Sequence, residues 1–132
     1  MVSPNSGSDI STVDETGDVR IDALLHGTKW GGEAGTGAAL TYSFPGSGST
    51  WAKGYGDGEP TWSGYGGLSA SQQTWFESAL AAWAEVANVT FTEVHETATK
   101  VGDIRVAFSS LPADTYAWSY FPADLPEGAT CG

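Results

Sequence analysis

Between Leu68 and Val94 the chain encodes a helix that runs at once into a strand, and this junction constrains the fold more than any other feature. Ser69-Ala70-Ser71-Gln72 has the form of a capping box, in which the serine bonds forward to the first turn and the glutamine reaches back. Phe76, Ala79, Leu80, Trp83 and Ala87 then recur at three- and four-residue spacing, with Glu77 and Glu85 off that stripe. This spacing predicts an amphipathic helix over 70–87. Val89-Thr90-Phe91-Thr92-Glu93-Val94 follows immediately and is β-branched and alternating, as a strand should be. A helix lying between two strands is a crossover connection, which favours parallel pairing.

The partner strands can be placed from the same patterns. Leu40-Thr41-Tyr42-Ser43-Phe44 alternates apolar and polar and is closed by Pro45-Gly46. Asp103-Ile104-Arg105-Val106-Ala107-Phe108 puts Ile104, Val106 and Phe108 on one face. Tyr116-Ala117-Trp118-Ser119-Tyr120-Phe121 is stopped by Pro122, which suits an edge strand over 116–122. The expected order is strand, glycine loop, helix, strand, strand, edge strand: an α+β fold with a mixed sheet of about four strands and one helix packed behind it.

The remaining segments are less regular. Residues 1–19 are polar, acidic and without period, and read as a flexible leader. Ile21, Leu24 and Leu25 have helical spacing, with Gly27 ending a short helix or turn. Residues 46–67 hold eight glycines interleaved with Trp51, Tyr55, Trp62 and Tyr65, an irregular loop whose rings imply that it packs. Leu, Ile, Val and Phe make only about 17% of the 132 residues, a fraction that with a net charge of −11 would ordinarily indicate disorder. The 6 Trp and 5 Tyr argue the other way, because disordered chains are poor in aromatics.

Charge and cysteine usage exclude several classes. Five scattered basic residues against 16 acidic ones give no cluster for nucleic-acid phosphates, and no attraction to an anionic membrane surface. No run approaches the roughly 18 apolar residues that a membrane-spanning helix needs. The single cysteine, Cys131, excludes an internal disulfide framework and a cysteine-rich zinc module, without fixing the compartment. The first residues lack the basic start and apolar stretch of a Sec-type signal peptide.

Ile21-Asp22-Ala23-Leu24-Leu25-His26-Gly27-Thr28-Lys29-Trp30-Gly31 and Leu40-Thr41-Tyr42-Ser43-Phe44-Pro45 together resemble the start of the serralysin-like zinc metalloendopeptidases, a metzincin group. The resemblance continues through Leu68-Ser69-Ala70-Ser71-Gln72-Gln73 and Trp83-Ala84-Glu85-Val86-Ala87-Asn88-Val89-Thr90-Phe91-Thr92-Glu93-Val94. It resumes at Ile104-Arg105-Val106-Ala107-Phe108 and at Tyr116-Ala117-Trp118-Ser119-Tyr120-Phe121-Pro122, covering 20–132. It implies the upper part of a metzincin catalytic domain, a twisted mixed sheet with one helix behind. It also implies secretion by a route that reads a C-terminal signal, and in the full-length enzyme a zinc ion, a calcium-binding repeat domain and a protein or peptide substrate.

That family binds zinc on a later helix carrying H-E-x-x-H-x-x-G-x-x-H, with a Met-turn beyond it. Here the only histidines are His26 and His95 and the only methionine is Met1. Two imidazoles cannot supply three ligands, so the expectation is the N-terminal half of the catalytic domain, with no catalytic or metal-ligating residue of its own and no activity alone. The resemblance assigns substrate-backbone contact to Ala117, Trp118, Ser119 and Tyr120, through an edge strand bordering the cleft.

Other candidate sites read more simply. His95-Glu96-Thr97-Ala98-Thr99 looks like a zincin motif with its second histidine lost, but it leaves a strand and enters a loop, where a solvated histidine is the plainer reading. His26 lies in a packing segment of the resemblance. Gly54-Tyr55-Gly56-Asp57-Gly58 and Gly64-Tyr65-Gly66-Gly67 lack the strand, lysine and helix of a phosphate cradle, and Asp57 and Glu59 would repel phosphate and fall short of a calcium loop. Asn88-Val89-Thr90 matches a glycosylation sequon at a tight join, and Cys131 lacks the context of a zinc-blocking switch. Trp51, Tyr55, Trp62 and Tyr65 fit either a stacking platform for sugars or anchors of the loop. The alternative function is therefore a stand-alone glycan- or peptide-binding module, cytoplasmic in that case, using the aromatic loop or the edge strand.

Overall fold

The computed structural model describes residues 9–52, 55, 58–117, 119 and 120. Strand β1 (Ile10–Thr12), helix α1 (Val19–Asp22) and strand β2 (Thr28–Trp30) come first. Strand β3 (Ala38–Ser43) leads through a 3-10 turn (Glu59–Thr61) to helix α2 (Ala70–Val86), then to strands β4 (Val89–Glu93) and β5 (Ile104–Arg105). The fold is α+β, as the patterns require.

The helix-to-strand junction does what its sequence demands. Ser69 donates both its backbone N–H and its hydroxyl to Gln72 Oε1, fixing the start of α2. Ala87 turns to extended backbone at the other end, so β4 begins two residues later. β3 lies between β4 and β5 and runs parallel to both, with Ala38 opposite Val89 and Tyr42 opposite both Glu93 and Ile104. The crossover expectation of a parallel pair is met between β3 and β4.

β3 divides the interior into two chemistries. Tyr42 and Phe44 alternate toward α2, where Phe76 meets both rings edge-on, at 6.0 and 5.8 Å between centroids. Thr41 and Ser43 alternate to the opposite face, where they meet carboxylates. Asp103, fully buried, accepts from the Thr41 N–H at 2.7 Å and from its hydroxyl at 2.8 Å. One side of the sheet is thus an aromatic layer and the other a buried polar one.

Four expectations change in detail. Trp83 and Ala87 are exposed, and it is Phe76 and Leu80 that α2 turns toward the sheet. The strand expected over 103–108 keeps its ladder only at Ile104–Arg105, because Phe108 leaves the sheet and exchanges both backbone bonds with Gly66 of the glycine loop. The edge strand expected over 116–122 does not form among its described residues 116, 117, 119 and 120. A turn closed by the Thr115 N–H on Pro112 O, with Asp114 at a φ of 69°, redirects the chain, and Gly66 already pairs with Phe108. The main sheet accordingly has three strands. Finally, Ile10–Thr12 of the acidic leader forms β1, antiparallel to β2, and the Ser11 hydroxyl donates to Gly31 O at 2.7 Å.

Candidate functional site

The polar face of the sheet converges on one ion pair. Arg105, in β5, points away from the face that carries Ile104 and donates from Nε to Glu96 Oε1 at 2.7 Å and from Nη2 to Oε2 at 2.8 Å. Ser43 and Ser49 donate their hydroxyls to the same carboxylate, at 2.8 and 2.5 Å. Burial raises the Glu96 carboxyl, but the hydrogen bonds from Arg105 and Ser49, the charge of Arg105 and the Ser43 hydroxyl outweigh it, and the group sits below its ordinary value. The guanidinium also lies over the Trp51 ring, 3.7 Å from its centroid.

Trp51 carries the arrangement into the glycine loop. Its ring meets Tyr55 at 4.6 Å and Tyr65 at 6.0 Å, and Tyr55 meets Tyr120 at 5.7 Å. Tyr65 donates its hydroxyl to Gly46 O at 3.1 Å, and burial pushes that phenol above its usual value. Gly58 holds a φ of 97°, open to glycine, and starts the 3-10 turn in which Glu59 precedes Pro60. Ser109 clamps that turn by donating to Glu59 O at 2.8 Å.

These residues border a cleft of about 590 Å³ lined mainly by aromatic and aliphatic side chains, among them Trp30, Phe76, Val106 and Phe108. That volume is within the range of small-molecule sites, roughly 300–1,000 Å³. Glu59 stands in the wall with 7% of its surface exposed. Its Oε1 accepts the Tyr120 hydroxyl, whereas Oε2 is buried and has no partner among the described residues. Arg105 Nη1 is likewise buried without one.

The residues singled out from sequence distribute unevenly around this cleft. Ala117, Ser119 and Tyr120 line it, the first two exposed and the third half-buried; Trp118 lies outside the described residues. Trp51, Tyr55 and Tyr65 line it as well, and Trp62 does not. Tyr55 is buried and Trp51 half-buried, so these rings anchor the loop as much as they offer faces to a ligand. Asp57 and Cys131 are outside the described residues.

Among the described residues, the side chains that the resemblance would offer to zinc do not gather into a ligand set. His95 and His26 are exposed, and His26 Nδ1 lies 3.2 Å from the Thr28 hydroxyl. Glu96, beside His95, is tied to Arg105 rather than free to polarise a water. Among the described residues, no three His, Cys, Asp or Glu side chains come together as a metal requires. No helix among them is long and apolar enough to cross a membrane.

Sequence reading weighed Glu59 and Glu96 only against phosphate, calcium and zinc roles and passed over Arg105, so the ion pair and the buried Glu59 were not foreseen. The available signal was Arg105, a charge set between Ile104 and Val106, since a cation in the middle of an apolar strand needs an anion brought from elsewhere. Comparison with protein-family models, with curated proteins and with solved structures returns no match.

Proposed function

We propose that this chain is the N-terminal part of the catalytic domain of a serralysin-like zinc metalloendopeptidase, supplying its upper sheet and a substrate-aligning wall. One observation carries the reading. Four of the six segments that resemble the family, 40–45, 68–73, 83–94 and 104–108, build β3, α2, β4 and β5 into one parallel sheet with a single crossover helix, whereas 21–31 covers the end of α1 and β2 and 116–122 forms no strand among its described residues. The larger part of the likeness thus falls on one contiguous layer.

In this reading Ala117, Trp118, Ser119 and Tyr120 align substrate, and Ala117, Ser119 and Tyr120 border the cleft. Peptide hydrolysis in such enzymes uses a zinc-bound water, and the ligands would lie on a following helix of the H-E-x-x-H-x-x-G-x-x-H type. What this chain's residues do is bind and orient.

Two measurements test the proposal. Reading the gene beyond codon 132 should reveal that motif in frame within some tens of codons, and its absence from an open continuation overturns the assignment. The purified chain with added zinc should neither retain stoichiometric metal nor cleave casein; turnover with bound zinc overturns the claim that the catalytic apparatus lies elsewhere.

A further inference from the structure

The geometry points to a second property of the cleft: a site for an organic cation, an ammonium or guanidinium carried on an apolar or aromatic body. The inference stands on the cleft alone and not on the peptidase assignment.

Its starting point is the charge balance of the wall. Glu59 and Asp103 contribute two carboxylates and Arg105 one guanidinium, the single cation among the described lining residues. Arg105 is held to Glu96 by two short bonds, so its charge is matched outside this count. Asp103 is fixed by Thr41. Among the described residues, the Glu59 side chain receives the Tyr120 hydroxyl at Oε1, and its Oε2 is buried without a partner. Burying a carboxylate is costly unless an opposite charge or several donors compensate it.

Shape and field agree with this balance. The cleft wall is rich in rings, with Tyr55, Tyr65 and Tyr120 among its members, and ring faces attract cations most strongly where water is excluded. A net charge of −11 on the whole chain raises the local concentration of cations and lowers that of anions. A neutral hydroxyl, as on a sugar, could bond to Oε2 but would leave the carboxylate's charge unmatched. A cation resting among the rings answers both, and the aliphatic wall of Val106 and Ile104 accommodates its apolar body.

Such a group could reach the cleft on a free amine or on a basic side chain of a peptide, and the test separates these sources. The full chain is titrated by tryptophan fluorescence and calorimetry with benzylammonium and with acetyl-Phe-Lys-amide. Benzyl alcohol, acetyl-Phe-norleucine-amide and cellobiose serve as neutral counterparts. The expected result is saturable binding in at least one cationic arm, at least tenfold tighter than its neutral counterpart. Saturation by benzylammonium identifies a free-amine site, and saturation by the lysyl peptide alone identifies a peptide site. In Glu59→Gln, with circular dichroism unchanged, that preference should fall at least tenfold. Equal affinity for charged and neutral probes, binding of cellobiose alone, an unaltered preference in a folded E59Q, or no saturation up to millimolar concentrations each overturns the inference. Should E59Q fail to fold, the charged-against-neutral comparison on the parent chain decides alone. Neither result bears on zinc or casein cleavage, so failure here and failure of the peptidase reading remain separate.

Discussion

Arg105 and Glu96, nine residues apart in the chain, meet through two parallel hydrogen bonds of 2.7 and 2.8 Å, with their side chains 0% and 11% exposed. The pair ties the loop after β4 to β5, while Ser43 and Ser49 bond the same carboxylate from β3 and the glycine loop. Four segments therefore depend on one anion. Removing one member of a buried pair leaves an unmatched charge and costs about 3–5 kcal/mol, a large part of the 5–15 kcal/mol typical of a domain. Arg105→Met should accordingly abolish or nearly abolish the cooperative urea transition. Glu96→Leu combined with Arg105→Met should restore a measurable transition, incompletely, because Ser43 and Ser49 then lack their acceptor. A double variant no more stable than R105M would show that the pair is not the coupling element.

The same carboxylate predicts an acid response. Its folded-state value lies below the ordinary 4.5, so its contribution is complete above that value and is lost as the pH falls from there toward the folded one. Stability measured by urea at a series of pH values should hold near neutrality and decline below about 4.5. Glu96→Gln should be less stable at neutral pH and should show a shallower decline. Asp18 and Asp22 are also held below their ordinary values, by Arg20 and by Thr16, and act in the same direction in both proteins. The difference between parent and variant therefore isolates Glu96. Parallel curves would contradict the assignment.

Close backbone approach at Gly102 gives a further prediction. A Cβ built there would lie 2.5 Å from Tyr42 C and 2.6 Å from Ser43 N, both main-chain atoms of the central strand. Neither can rotate away, so Gly102→Ala should cost about 1–3 kcal/mol through forced displacement of β3. Gly46→Ala meets nothing within 4 Å and serves as the control, with an expected change within about 0.5 kcal/mol. Thermal melts of the two variants against the parent check both values, and equal melting temperatures would mean that β3 yields freely.

What the sequence made legible is the part governed by local pattern. The capping residues Ser69 and Gln72, the alternation of Leu40 to Phe44 and the β-branched run from Val89 define α2, β3 and β4, and a strand–helix–strand order leaves parallel pairing as the natural outcome. The cleft was not legible in this way. Glu59 lies in a glycine-rich segment and Glu96 in a polar stretch, His95 to Lys100, that reads as solvated loop; their burial comes from Ser109, Tyr120, Ser43 and Arg105, partners 9 to 61 residues distant. The expected strand over 116–122 fails for a related reason. Its alternation is real, but Tyr120 is held by Glu59 rather than by a neighbouring strand.

Helix α2 shows where periodicity misleads, and it yields a testable contrast. Its sequence is apolar on more than one side, so the expected inward stripe ending in Trp83 and Ala87 and a second stripe through Trp75, Ala82 and Val86 are both present. Packing selects Phe76 and Leu80 for the sheet, with Leu80 buried, while Trp75, Trp83 and Val86 keep 69%, 65% and 80% of their surface exposed. Leu80→Ala should therefore cost about 2–5 kcal/mol, as truncations of buried leucines do. Trp83→Gln and Trp75→Gln should each stay within about 0.5 kcal/mol, because little burial is lost. Chemical denaturation of the three variants measures this directly. Acrylamide should quench a substantial share of the parent's tryptophan fluorescence, a share that falls in W75Q and W83Q. A Trp83→Gln loss as large as that of Leu80→Ala would return Trp83 to the core and rotate α2 about its axis relative to the sheet.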